Sequence, residues 1–140
     1  MLLTTALTTL LTLATTSLAT TVSFDPGYDE PSRPISVLAC SDGVNGLTTR
    51  FGWHSQDDIP SFPHIGGAEA VAGWNSPACG TCWSATYHGK TIYVLAVDHT
   101  DAGLNVGHEA MEELTGGNAD MLGRIEADVA LVDGGYCGLH

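Results

Sequence analysis

The stretch Ala72-Gly73-Trp74-Asn75-Ser76-Pro77-Ala78-Cys79-Gly80-Thr81-Cys82-Trp83 decides how the rest of this chain is read. Its Cys79-Gly80-Thr81-Cys82 core, set beside Cys40 and Cys137, admits three incompatible chemistries: a redox-active dithiol, half of a zinc site, or the meeting point of two long-range disulfides. The compartment discriminates among them. Metal-binding thiolates and free dithiols survive poorly outside the cell, whereas disulfides persist there.

The N-terminus speaks to the compartment. Met1 to Ala19 carries no charged side chain, is rich in Leu, Thr and Ala, and closes with Ser17-Leu18-Ala19, the small-x-small pattern that signal peptidase cuts. Residues 1–19 therefore read as a signal peptide, cleaved after Ala19 or a residue or two later, and residues 20–140 as a single domain. A membrane anchor would need about 20 mostly apolar residues and a basic flank. Here threonines dilute the run, and Thr20 to Pro26 is polar and acidic. The expected localisation is secreted and extracellular.

In an oxidising destination disulfides are the default, and four cysteines allow three pairings. Cys79 with Cys82 would make the tight loop of oxidoreductases and leave Cys40 with Cys137. The other two pairings use the central cysteines to anchor two long loops, and the residues alone leave all three open. Closing loops of ~40 and ~55 residues is worth about 4 kcal/mol each on the chain-entropy model. Two such bridges would be comparable to the whole stability of a typical domain. The expectation is a protein that withstands heat and collapses on reduction.

The best-defined local element is a hairpin, Cys82 to Tyr87 and Thr91 to Asp98, two runs rich in β-branched and aromatic residues around His88-Gly89-Lys90. Ile92 to Val97 is almost continuously apolar, which predicts a central strand covered on both faces. Ser36 to Ala39, Leu47 to Phe51 and Ala127 to Val132 read as further short strands. His108 to Leu114 reads as a helix stopped by Gly116-Gly117, and Gly67 to Val71 as one helical turn. Short strands, abundant glycine and one or two small helices predict a mainly β fold, a compact barrel closed by disulfides.

Ala39-Cys40-Ser41-Asp42-Gly43-Val44-Asn45-Gly46-Leu47, Phe62-Pro63-His64-Ile65-Gly66-Gly67, the Ala72–Trp83 stretch and Val97-Asp98 together resemble the cerato-platanins, small secreted proteins of filamentous fungi. The resemblance runs from Val22 to Cys137. It implies a six-stranded double-psi β-barrel similar to the first domain of expansins, with disulfides Cys40–Cys79 and Cys82–Cys137. It further implies binding of chitin-type N-acetylglucosamine oligomers, expansin-like loosening of polysaccharide at the cell wall, no established hydrolytic activity, and an effector role in which a plant receptor perceives the protein as a defence elicitor.

Carbohydrate-binding candidates are Asp98, Asn45, Gly46, Ser41, Asp42 and Tyr28. Asp98 stands where a buried strand runs into a loop, a position from which a scaffold presents a polar group to a ligand. The resemblance puts it at the floor of a shallow groove; otherwise it reads as a loop carboxylate capping backbone N–H groups. Ser41 to Gly46 has turn composition, with Asn45-Gly46 as a strong turn signal, and the resemblance places this loop at the groove's edge. Sugar faces pack on exposed rings. Tyr28 and Trp53, among Gly, Pro and Asp, are expected to be exposed, Trp74 and Trp83 to be core or near-core, and Tyr136 is a further candidate. With no linear aromatic platform, affinity should be weak, roughly 4 to 8 kcal/mol.

No catalytic residue is assigned. Glycoside hydrolysis needs two carboxyl groups at a defined separation, and among 16 acidic residues a pair carries no information. The His-Phe-Asp sequence of expansins is missing. The alternative is a weak polysaccharide lytic enzyme using Asp98. The loop after Asp98 reads His99-Thr100-Asp101-Ala102-Gly103-Leu104-Asn105, where the family has a small Gly-rich segment; its extra charges are expected to be solvated, and no cofactor or metal is assigned. A net charge of −12, with four Lys plus Arg, excludes nucleic acid and anionic membrane as natural partners and leaves neutral polysaccharide unopposed. Near the sequence pI of 4.4 most of that charge is lost, so self-association is expected in acid.

Overall fold

The computed structural model describes residues 16–140. Most of the expected signal segment, residues 1–15, lies outside the described residues; Leu18 and Ala19 open the first strand. Six strands close into one barrel: β1 (Leu18–Phe24), β2 (Ile65–Ala68), β3 (Cys82–Tyr87), β4 (Lys90–His99), β5 (Leu104–Val106) and β6 (Arg124–Val132). Around the barrel the order is β1-β5-β2-β4-β3-β6, with β6 returning to β1. The β1/β5 and β2/β4 pairs are parallel and the remaining four antiparallel. Closure leaves no free sheet edge.

The hairpin forms as expected, Cys82 opposite Leu95 and Tyr87 opposite Lys90. β4 lies between β2 and β3, and Val94 to Val97 are all buried, as the continuous apolar run requires. β6 alternates, with Ile125, Ala127 and Val129 inward.

Three expectations are corrected. Gly67 to Val71 is not a helical turn: Ile65–Ala68 is strand β2, and its glycines permit a close approach that no other residue allows. A Cβ on Gly66 would stand 2.2 Å from the Asn105 carbonyl oxygen, and one on Gly67 would stand 2.7 Å from that of His99. A register shift between the two glycines marks a bulge on the β4 side. Leu47 to Phe51 is a short helix, α1, despite its threonines. The Leu47 and Thr48 amides donate to the Cys40 and Ser41 carbonyls, and Gly52 ends the helix at φ 73°. Tertiary hydrogen bonds have overridden propensity. Ser36 to Ala39 is not a strand: Ser36 and Val37 belong to a 3-10 turn over Ile35–Val37, and Leu38 and Ala39 continue as bend and turn.

The helix expected at His108 is α2 (His108–Thr115), followed by α3 (Ala119–Leu122), so with α1 there are three short helices where one or two were expected. Ala110, Met111 and Leu114 turn α2's apolar side to the core. Its amides at His108 and Glu109 donate to both carboxylate oxygens of Asp29, at 2.6 and 3.1 Å, a cap supplied from a distant turn. No described helix is long and apolar enough to cross a membrane.

The disulfides are Cys40–Cys79 and Cys82–Cys137, with Cα separations of 5.5 and 5.8 Å, and no cysteine is free. The tight-loop pairing is excluded. Both bridges are buried among the core side chains.

Candidate functional site

β4 ends at a carboxylate that ties three segments together. Asp98 Oδ1 accepts the Ala39 and His99 amides, each at 3.0 Å, and Oδ2 accepts the Tyr28 hydroxyl at 2.8 Å. Tyr28 was expected to be exposed; it is 3 % exposed, inserted beneath Arg33, whose guanidinium carbon lies 5.3 Å from the ring centroid. Burial, and then the Asp98 charge, push its hydroxyl far above the usual tyrosine range. Tyr28 therefore remains the donor and Asp98 the acceptor. With both oxygens engaged in holding backbone and phenol, Asp98 positions the loop that begins at Ala39. Tyr28 offers no ring face to a ligand.

That loop meets the Trp74 segment at Asp42 and Asn45. Asn45 N–H donates to Asn75 Oδ1 at 2.9 Å, and Asn45 Nδ2 donates to the Asn75 carbonyl at 3.0 Å, a two-point clamp with both donors on Asn45. Asn75 sits at φ 61°, a left-handed geometry that Asn tolerates better than most residues. Gly46 is buried, and a Cβ there would fall 2.2 Å from the Asp42 carbonyl oxygen, so it shapes the loop. Asp42 accepts the Trp74 indole N–H at 2.6 Å, a short charge-assisted bond, and the Ser41 hydroxyl approaches the same oxygen at 3.4 Å.

Trp74 is the largest departure from expectation. It was placed in or near the core by its closeness to the cysteines, yet it is 63 % exposed. Beneath it Gly43, at φ 79°, leaves room for the indole: a Cβ there would come 3.0 Å from Trp74 Cζ2. Asp42 fixes the N–H edge of the ring, the Gly43 turn lies beside its benzo edge, and the indole as a whole stays largely exposed. The indole borders a groove of about 410 Å³ lined with Ser36, Ser41, Asp42, Thr48 and His54. An apolar ring among hydroxyls, a carboxylate and an imidazole matches the two faces of a pyranose, which carries C–H groups on one side and hydroxyls at its rim.

The structure thus places four of the candidates, Ser41, Asp42, Asn45 and Gly46, along one loop, and ties Asp98 of β4 to its start through the Ala39 amide, with Tyr28 buried against Asp98. Sequence reasoning missed Trp74 as an exposed ring, together with Asn75, Thr48, Ser36 and His54. The signal for Trp74 was its own neighbours, since Gly73, Asn75, Ser76 and Pro77 make turn composition. Of the other rings, Trp53 is half-buried and stacks on Phe51 at 4.3 Å, correcting its expected exposure. Trp83 is half-buried with its N–H on Thr81, and Tyr136 is exposed against Tyr93. The His99 ring is engaged by other partners: Nδ1 meets the Val71 carbonyl at 2.6 Å and Nε2 meets Asp101 at 3.2 Å. The Val71 carbonyl first, and then Asp101, raise its pKa above the ordinary histidine value.

The cerato-platanin family model matches residues 20–139. This chain belongs to the cerato-platanin family. It is 46 % identical over 126 residues to a heat-stable 19 kDa antigen of Coccidioides posadasii, covering 89 % of this chain and 86 % of that protein. Its fold superposes on the crystal structure of cerato-platanin 3 from M. perniciosa with a TM-score of 0.83 at 41 % identity, covering 87 % of this chain and all of that one. It also matches the solution structure of the fungal elicitor Cerato-Platanin, at TM-score 0.75 and 34 % identity, over 84 % and 95 % of the two chains. The closed barrel matches cerato-platanin structures, and the family and the two disulfides are consistent with a secreted protein.

Proposed function

We propose that this cerato-platanin is a secreted, non-catalytic wall-directed protein that binds N-acetylglucosamine oligomers or a related neutral polysaccharide in the groove beside Trp74. Its function is to associate with the polymer and loosen it, and a host perceives the protein as an elicitor. The observation that carries the binding assignment is the exposed Trp74 indole at the groove's border, held in place by Asp42 and by the Asn45–Asn75 clamp. A pre-positioned ring costs little ordering on binding, and its flanking hydroxyls suit sugar rims. The name of the fungal elicitor it resembles supports host perception. Secretion is supported by the leader-like first 19 residues and by two buried disulfides.

The non-catalytic reading draws on Asp98. A glycosidase needs one carboxyl group free to attack or to give up a proton, and both oxygens of Asp98 are engaged by the protein's own donors. The test is an NMR shift titration of the oxidised protein with N-acetylglucosamine oligomers, alongside Trp74→Ala and a reducing-end assay. Shifts confined to residues 36, 41–48, 54 and 74–75, abolished by Trp74→Ala and without release of reducing ends, are the expected result. Shifts that survive Trp74→Ala would move the site elsewhere, and released reducing ends would overturn the non-catalytic assignment.

A further inference from the structure

Away from the groove, α2 and α3 bring together a set of side chains with metal-binding chemistry. His108 and Glu112 are four apart on α2, so they share one face. The turn through Gly116-Gly117-Asn118 swings Asp120 of α3 back over them. His108 Nε2 lies 2.9 Å from Asp120 Oδ1 and 3.8 Å from Glu112 Oε1, and one ligand atom from each residue falls within 4.8 Å of the others. Tetrahedral zinc, with ligands at ~2.0–2.1 Å, spaces its donor atoms about 3.3 Å apart, so the observed separations bracket what an ion requires.

The donors are held. The His108 ring packs edge-on against Phe24 at 5.0 Å between centroids, and its backbone amide is fixed by Asp29. Glu112 Oε1, the oxygen nearest His108, also accepts the Ala119 amide at 2.9 Å, which orients the carboxylate between the two helices. Such outer contacts set ligand direction in metal sites.

The other histidine–carboxylate pairs do not make such a set. Glu113, against His64 at 2.7 Å, already has Lys90 at 3.8 Å, and His99 has a single carboxylate with its second nitrogen on Val71. No Lys or Arg forms an ion pair with His108, Glu112 or Asp120 among the described residues. Two carboxylates and one imidazole are thus left without a fixed cation.

We propose that His108, Glu112 and Asp120 bind one divalent transition-metal ion of the zinc class, which clips α3 to α2 and keeps an outward coordination position open. Imidazole selects such ions over the oxygen-preferring magnesium and calcium. His108 supplies the Nε2 lone pair and the two carboxylates neutralise the ion. Asp120 is largely exposed, so the fourth position faces solvent.

The experiment is calorimetric titration of the oxidised full chain with zinc chloride, in parallel with magnesium chloride, for wild type, His108→Ala and Asp120→Asn. His99→Gln and His64→Gln serve as controls, and zinc-induced NMR shifts of the His108 ring are recorded on the same samples. One equivalent of zinc should bind with the His108 ring shifted. Affinity should fall tenfold or more in both ligand variants, be unchanged in both controls, and be much weaker for magnesium. Asp120 is exposed, so Asp120→Asn tests the site without threatening the fold. Absence of saturable zinc binding, equal affinity in His108→Ala, or equal binding of magnesium would each overturn the proposal.

Discussion

The Trp74 loop cluster and the α2–α3 pair are both appended to the same barrel, yet they are fixed by different forces. The loop is secured covalently through Cys40–Cys79, and then by the Asn45–Asn75 clamp and the Asp98 staple. The helical pair has no disulfide, and its anchors are carboxylates: Asp29 on the first turn of α2, Glu112 on Ala119, Asp120 on His108. One region has a covalent bridge beneath its hydrogen bonds, the other has hydrogen bonds alone. A region that must keep an indole open to solvent cannot bury that ring for stability, and the covalent bridge does the holding in its place.

The most severe way to break this contrast is to remove Cys40 and Cys79 together by substitution to Ala. A loss of about 2–5 kcal/mol is expected in denaturant unfolding, with amide exchange accelerating in residues 40–46 and 74–79 before α2. If α2 loses protection first, the two regions are not independent. Asp98→Ala should follow at about 2–3 kcal/mol, because it leaves the Ala39 amide and the Tyr28 hydroxyl without their acceptor. Tyr28→Phe sharpens this by removing one donor alone, for about 1 kcal/mol.

On the helical side, Asp29→Ala should cost about 1–2 kcal/mol, the range of a lost helix cap, and its exchange signature should sit in α2. An effect spread evenly over the barrel would count against the capping role. The smallest effect expected is that of pH on His99. Its folded pKa is raised above 6.5, so its contribution is complete below 6.5 and fades as pH rises through the folded value. The stability difference between wild type and His99→Gln should therefore shrink from pH 6 to pH 8, as read from melting midpoints. A difference that stays constant across that range would show that the Val71 contact does not discriminate protonation states.

The elements legible in the sequence were those whose burial is written in their own side chains. The β3–β4 hairpin, β6 and α2 carry apolar patterns with the right period, and all three formed. β2 was hidden because its strand signal is an absence: Gly66 and Gly67 are there for the sake of the Asn105 and His99 backbones beside them. α1 was misread because its first amides are satisfied by the carbonyls of Cys40 and Ser41, which no local window contains. The same non-local logic inverted two aromatics. Tyr28, in polar company, is buried by its bond to Asp98, and Trp74, beside a buried cysteine, is carried outward on a turn. Single residues of the site could be named from sequence, but not which rings would face solvent.

The two disulfides are arranged in series along the chain. Cys40–Cys79 encloses residues 41–78 and Cys82–Cys137 encloses 83–136, with no overlap. Hydrolysis of one peptide bond inside either loop leaves the molecule in a single covalent piece. Between Cys40 and Cys137, only the bonds joining residues 79 to 82 could part it into two. Those bonds are laid against β4: the Gly80 amide donates to the Ala96 carbonyl at 2.9 Å, and the Ala96 amide donates back to Thr81 at 2.8 Å, with Gly80 itself buried. A protein nicked by proteases in its surroundings would therefore run at full mass on a non-reducing gel and fall into fragments only when thiol is added.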